Sequence, residues 1–307
     1  MRNKNLAGAK SLTLLAAVVC GLCSFSAAAA DNNLPDNRAL LQGVQPDNAL
    51  VATLPAKIRE SGKITVGTFT PAAPGNFYAE DGTTIIGYEP DLIKAVLAKL
   101  KLQPAFVSMD FSALITSLKS KRINITMAQM NDTAERQKAI DFIDYLFTGI
   151  TVIVKKGNPA AIKGGDDLCG HKVAVVTGTT QHEFAEKASA DCKQQNKAPI
   201  SLIVTDSDPQ NLIQLRSGRI DAIINDLPTA SYISRTTGKG NEFEVVKGKI
   251  INGAPFGIGI NKDDTALRDA LQKALQEIID DGTYQKILTS WGLTNGALKT
   301  ATVNGGK

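Results

Sequence analysis

Leu118–Asn124 reads LKSKRIN, and Leu215–Asp221 reads LRSGRID. In both stretches an apolar-periodic run ends in basic residues, turns, and enters a short apolar strand. That strand is Ile123–Met127 (INITM) in the first copy and Ile220–Ile224 (IDAII) in the second. A second echo sets Lys63–Thr68 (KITVGT) against Lys172–Thr177 (KVAVVT). The members of the two pairs lie 97 and 109 residues apart. A solenoid needs a shorter period and more copies. The echoes instead predict two lobes of similar construction.

Working outward, Leu92, Ile93, Val96, Leu97 and Leu100 follow Pro90 at helical spacing. Strand-like and helical runs alternate from there, which argues for α/β units with largely parallel sheets. Ligands of open α/β sheets bind beyond the carboxyl ends of the strands. Four such ends are polar or Gly-rich: Thr68–Thr70, Ala128–Asn131, Thr177–Gln181 and Asn225–Asp226. They come from both halves, and a cleft between lobes is the simplest geometry that uses them all.

The chain has 307 residues and a formal net charge of +4, with 43% hydrophobic and 21% charged residues. Those proportions exclude disorder, collagen and coiled coil as its main character. Arg2, Lys4 and Lys10 precede the apolar run Ser11–Phe25 and the small residues Ala28–Ala30. This is the three-part pattern of a secretory signal peptide, with cleavage expected near Ala30. Residues 1–30 carry three cations and no anions, so the mature chain is close to neutral. No basic stripe remains to suggest nucleic acid. Cys20 follows Val19 and Cys23 follows Leu22, whereas lipid attachment needs a small residue before the cysteine. Cys169 and Cys192 remain after export, and in an oxidising compartment they read as one disulfide. A metal site or a reactive thiol is the alternative. His171 and His182, the only histidines, do not supply a zinc pattern. The polar stretch 31–57, with Pro35, Pro46 and several Asn, reads as a flexible lead-in.

Three places carry binding chemistry. Asp132 is an N-cap candidate with Glu135 three residues later. Arg136 then falls in a first turn, where the helix dipole disfavours a cation. That placement makes sense if Arg136 faces an anion, which a guanidinium can grip bidentately; a surface ion pair with Asp132 or Glu135 is the plainer reading. Thr180, with Glu183 three residues on and Gly178 before it, forms another anion-welcoming helix start. Asp226, ahead of Leu227 and Pro228, can cap a helix or hold a ligand ammonium. A cation on one lobe and an acid on the other suit a zwitterion.

At these residues the chain resembles the periplasmic substrate-binding proteins of polar amino-acid ABC transporters. These are the family 3 solute-binding proteins, including the histidine- and glutamine-binding group. The similar stretches run in order over about residues 58–294. They include Lys63–Thr68, Gly87–Leu92, Leu114–Ser120, Thr133–Lys138 leading into Ile140–Phe142, Val154–Gly157, Gly178–Thr180, Arg219–Ala222, Asp281–Ile287 and Trp291–Gly292. The resemblance implies a type II fold, two α/β lobes joined by two crossing hinge strands. It implies a discontinuous first lobe, 58–150 plus 254–307, and a second lobe over 151–253. Arg136 matches the clamp for the ligand carboxylate, and Thr180 the helix-start residue whose N–H assists it. Asn131 and the backbone of Gln129 match the loop around carboxylate and ammonium. Asp226 matches the acid that holds the ammonium, and Phe111 the residue that packs on the ligand.

This sequence also departs from the family pattern. Phe69 stands where an acid is common, and Gln129 where a small residue is common. Loss of that acid, with no spare cation evident, favours an amino acid with an uncharged side chain. The function implied is capture of a free amino acid and delivery to permease subunits by a monomer without metal or cofactor. A cyclohexadienyl dehydratase-like enzyme on the same fold is the alternative, although the cleft segments offer few acids or bases besides Asp226.

Overall fold

The computed structural model describes residues 34–248 and 250–307. The expected signal peptide, residues 1–30, lies outside the described residues. In chain order the elements are α1 (Arg38–Gln42), α2 (Asn48–Thr53), α3 (Ala56–Ser61), β1 (Lys63–Thr68), β2 (Phe77–Tyr78), β3 (Ile85–Ile86), α4 (Tyr88–Lys99), β4 (Gln103–Ser108), α5 (Leu114–Lys119), β5 (Ile125–Thr126), α6 (Ala134–Gln137) and β6 (Asp141–Lys155). There follow β7 (Lys172–Val176), α7 (Thr180–Gln194), β8 (Ser201–Thr205), α8 (Asp208–Arg216), β9 (Ala222–Asp226), α9 (Leu227–Thr236), β10 (Phe243–Val245), β11 (Ile251–Ile260), α10 (Thr265–Asp280) and α11 (Thr283–Ser290).

Among the described residues nine strands form one sheet in the order β4-β1-β5-β11-β6-β9-β7-β8, with β10 also on β6. The strand β6 makes this possible. Its first two-thirds pair antiparallel with β11, from Asp141↔Ile260 to Ile150↔Ile251. Its last third pairs antiparallel with β9, from Ile150↔Asp226 to Val154↔Ala222. Within each half β1–β4, β1–β5, β7–β8 and β7–β9 are parallel, while β11–β5 and β10–β6 are antiparallel. Thus β6 and β11 are the two strands shared by two α/β lobes. The sequence of β6, DFIDYLFTGITVIVK, is nearly all buried, as expected for a strand covered on both faces. Phe147 is an exception at 51% exposure, near the crossover between the two pairings.

Each lobe has its own core. In the first, α4 and α10 bury Leu92, Ile93, Val96 and Leu97, and Leu267, Leu271, Leu275 and Ile278, against β1, β6 and β11. In the second, Val152, Val154, Val173, Val175, Ala222 and Ile224 pack together with Cys192. Truncating any one of these leucines or isoleucines to Ala would cost about 2–5 kcal/mol. Cys169 and Cys192 are joined by a disulfide, which ties the turn before β7 to the end of α7.

The flexible lead-in expected over 31–57 is instead folded from Arg38. It forms α1, α2 and the start of α3. Leu50 and Leu54 are buried in the first core, with Leu40, Leu41 and Val44 packed against it. The Asp47 carboxylate caps α2 by accepting from Ala49 and Leu50 N–H, and the Asp47 N–H bonds the Lys99 carbonyl. Its polar residues lie between apolar positions, which is why composition alone reads as a linker.

Candidate functional site

The ends of β1, β5, β7 and β9 converge, as the alternation of strands and helices requires. They deliver Phe69, Ala128, Gln129, Val176 and Asp226 to the lining of one cavity between the lobes. Phe111, Asn131, Thr179, Thr180, Gln181, Asp208, Asn225 and Thr229 complete most of the wall. Among the described residues three hydrogen bonds cross the cleft. Thr180 Oγ1 donates to Asn131 Oδ1 at 2.9 Å, Arg136 Nη2 to the Gly178 carbonyl at 3.1 Å, and Thr229 Oγ1 to Gln129 Oε1 at 3.1 Å. The closed lobes leave a cavity of about 30 Å3. That is room for one or two water molecules. A larger solute therefore enters only if the lobes part or side chains swing aside. Beyond Asn131 and Thr180 a groove of about 940 Å3 runs past Thr133, Glu183 and Lys187.

Arg136 is buried and sits just behind the cavity wall. Its Nη1 donates to the Asn131 carbonyl at 2.9 Å, and its guanidinium lies 5.4 Å from the Phe111 ring centroid. Burial lowers its pKa, opposed by the charges of Glu183, Asp226 and Asp132. Two of its five N–H groups serve the Asn131 and Gly178 carbonyls, which leaves donors for an anion. Phe69 and Phe111 meet edge to face with centroids 5.9 Å apart, forming an apolar corner.

The helix starts differ by one residue from the sequence expectation. Thr179, not Thr180, caps α7, its Oγ1 accepting from His182 N–H. Thr180 is the first helical residue, so its hydroxyl is free to reach Asn131. The N–H groups of Thr180 and Gln181 lie in the first turn, where no intrahelical acceptor exists. Likewise Thr133, not Asp132, caps α6, and the Asp132 carboxylate turns inward. Asp226 occupies the N-cap position of α9 but makes no capping bond.

Asp226 Oδ1 is buried with no hydrogen-bond partner among the described residues. Burial pushes this carboxyl up to about 7. Gln181 and Arg136 oppose the shift, and the charges of Asp208 and Glu89 add to it. A buried acid with a free oxygen is an energetic cost that an incoming ammonium would relieve.

Gln129 does something different from the expectation. Its backbone N–H is spent on Glu89 Oε1 at 2.6 Å, so what it offers the cavity is its carboxamide. Nε2 donates to the Ala72 carbonyl at 3.0 Å, and Oε1 accepts from Tyr88 Oη at 3.3 Å as well as from Thr229. The residue takes a left-handed φ of 50°, and its side chain lies where a Cβ on Gly75 would collide with it.

Sequence reasoning missed two acids. Glu89 is fully buried and accepts from Gln129 N–H, Tyr145 Oη and Asn76 Nδ2. Burial pushes it up to about 7 against the pull of those donors. Asp208 lines the cavity at the start of α8, accepts from Asn225 Nδ2 at 2.7 Å, and is pushed by burial to about 6. Both stand in the first turn of a helix, where an acid ordinarily signals only the dipole. Among the described residues no three His, Cys, Asp or Glu side chains cluster as metal ligands, and no helix is long and apolar enough to cross a membrane.

Two lobes on shared strands, closed over a small cavity that mixes apolar and polar side chains, define a two-lobed solute-binding protein. The profile of the bacterial extracellular solute-binding proteins, family 3, matches residues 64–294, and the chain belongs to that family. It is 31% identical over 261 residues to the arginine-binding protein of Corynebacterium glutamicum, covering 84% of each chain. It is 31% identical over 254 residues to the L-cystine-binding protein of Escherichia coli, covering 82% of this chain and 91% of that one. An ancestral arginine-binding protein bound to arginine superposes with a TM-score of 0.68 at 34% identity, over 75% of this chain and 98% of that one. An ancestral amino acid-binding protein, a precursor of cyclohexadienyl dehydratase, superposes with a TM-score of 0.68 at 29% identity, over 76% and 97% of the two chains.

Proposed function

We propose that this protein captures a free amino acid between its lobes and delivers it to the permease subunits of an ABC importer. Arg136 and the first-turn N–H groups of Thr180 and Gln181 take the carboxylate. Asp226 takes the ammonium. Asn131 ties the two lobes together around the carboxylate, and Phe69 and Phe111 pack on the aliphatic part. The observation that carries the reading is a buried cation with donors to spare just behind the cavity wall and, in the lining, a buried acid with an oxygen that has no partner among the described residues. Both charges are costly unless a ligand matches them.

The lobes are assigned as 58–150 plus 254–307 and 151–253, and the protein works as a monomer without metal or cofactor. It acts in the periplasm after removal of residues 1–30 near Ala30. An uncharged side chain is favoured, because Asn225 already serves Asp208 and Gln129 presents a neutral carboxamide. L-arginine, whose guanidinium would seek Asp208, is the competing ligand.

A second reading is an enzyme, favoured by the likeness to the dehydratase precursor and by two carboxyls raised to about 7 near one cavity. Glu89, however, is enclosed by three donors and does not line the cavity. Calorimetric titration with single amino acids, followed by product analysis with prephenate, separates the two readings. Binding without turnover supports transport; turnover of prephenate overturns it.

A further inference from the structure

The segment Ala301–Gly306 is the part of the chain that the sequence motifs leave without a task. It runs along the first-lobe end of β6. Its Thr302 carbonyl accepts from Asp144 N–H at 2.9 Å, and its Asn304 exchanges bonds with Phe142 N–H and the Phe142 carbonyl. Val303 bridges Ile143. The segment then hands its two glycine amides to two buried carboxyls. Gly305 N–H donates to Asp144 Oδ2 at 3.2 Å, and Gly306 N–H to Asp132 Oδ2 at 2.8 Å. No side chain fits there: a Cβ on Gly306 would collide with the Asp132 carbonyl, and one on Gly305 with Asp144 Oδ2. Gln137 Nε2 closes the arrangement, bonding Asp132 Oδ1 at 2.8 Å and the Gly306 carbonyl at 3.0 Å.

Asp132 is the residue after Asn131, whose carbonyl orients Arg136 and whose side chain meets Thr180. Its N–H bonds the Pro255 carbonyl of β11 at 2.8 Å, and Asp144 stands on β6. Asp132 therefore ties the ligand loop to β11 through its backbone and to the tail through its carboxyl, and the Asp144 carboxyl ties the same tail to β6. We propose that Asp132 and Asp144, latched by Gly305 and Gly306, are positioning residues that hold the Asn131–Arg136 clamp in its binding geometry. The role rests on the proposed amino-acid function.

The latch has a charge condition. Asp144 Oδ1 is buried with no hydrogen-bond partner among the described residues, and the carboxyl is pushed to about 8 by burial first and by the charge of Asp132 second. At neutral pH it keeps a proton that Asp132 can share. Loss of that proton sets two carboxylates against each other. The other charges nearby are Arg136, which faces Asp132, and Asp141, which is neutralised by Lys262 at 3.0 Å and Arg268 at 2.8 Å. Lys307 follows Gly306 in the chain.

The test compares the full chain with a truncation after Val303 and with Asp144→Asn, using L-glutamine and L-arginine as probes. Calorimetry from pH 6.5 to 8.5 is paired with amide hydrogen exchange of the ligand-free proteins. Truncation is expected to weaken binding by about tenfold or more, the loss of hydrogen bonds to charged groups. It should also speed exchange at residues 129–136 without changing residues 172–176. In Asp144→Asn, whose amide replaces the shared proton, the alkaline fall in affinity of the full chain should vanish. Unchanged exchange at 129–136 after truncation overturns the proposal, as does a wild-type pH profile in Asp144→Asn. If the full chain binds neither probe nor any other amino acid, the transport reading fails, and the exchange arm alone decides the latch.

Discussion

Arg136 on the first lobe donates through Nη2 to the carbonyl of Gly178 on the second, 3.1 Å away. The group assigned to a ligand carboxylate is thus also a clasp between the lobes. Closure brings Arg136 to the start of α7, where first-turn N–H groups favour the same anion. A carboxylate placed between them would be gripped from both lobes at once, which couples binding to closure.

Arg136→Ala removes the cation, the clasp and the stacking on Phe111 together. Leaving a buried ligand carboxylate without its partner should cost about 3–5 kcal/mol of binding. That is about a hundred- to several-thousand-fold in Kd. Calorimetry on the variant checks it, and unchanged affinity would remove Arg136 from the site.

Asp226 sets a pH dependence. Its carboxyl is raised to about 7 in the free protein, yet it must be ionised to hold an ammonium. Below pH 7, binding must expel a proton from Asp226, so through this group affinity should fall as the pH drops from 7 to 5.5. Titrations in buffers of different ionisation enthalpy should detect about one proton released at pH 6. Asp226→Asn should bind more weakly and lose that proton release.

The same raised acids act on stability without ligand. Glu89, Asp208 and Asp226 hold protons more tightly when folded than when unfolded. A carboxyl with a raised folded pKa makes stability decline as pH rises from its unfolded value, near 4, through its folded value. The ligand-free protein should therefore lose stability across about pH 4 to 7 through these groups. Urea titrations of wild type and Asp226→Asn would check it: the slope should be shallower in the variant.

Gln129→Gly should widen the cavity and ease the left-handed backbone at that position. It also removes the carboxamide bridge from Ala72 and Tyr88 to Thr229. Bulkier amino acids should gain affinity relative to small ones. A thermal-shift panel that ranks ligands as the wild type does would contradict this role.

The Cys169–Cys192 bridge spans 23 residues of sequence. Closing a loop of that size is worth about 3 kcal/mol in the chain-entropy model. Cys169→Ser with Cys192→Ser should lower Tm by several degrees, and a reducing agent should do the same to the wild type and nothing to the double variant.

Much of the fold was legible because it depends on local periodicity. The four strand ends that meet at the cavity follow from alternation, whereas the roles assigned to Arg136 and Asp226 come from the family resemblance. What escaped depends on distant partners. Glu89 looks like a helix-start acid until Tyr145, 56 residues on, donates to it. The caps at Thr133 and Thr179 differ from the expected residues by one position, because Asp132 and Thr133, and Thr179 and Thr180, are adjacent residues able to fill the same role. The lead-in helices are only five or six residues long and the Ala301–Gly306 latch has few apolar positions, so contact with α4, α10 or β6 gives them structure.

The most direct measurement is thermal unfolding of the protein, refolded to strip any bound solute, against single amino acids. A ligand at a hundred times its Kd should add about 2.7 kcal/mol and raise Tm by a few degrees. A shift with one or a few amino acids, abolished in Arg136→Ala, is the expected result. No shift across all of them with folded protein would contradict amino-acid capture.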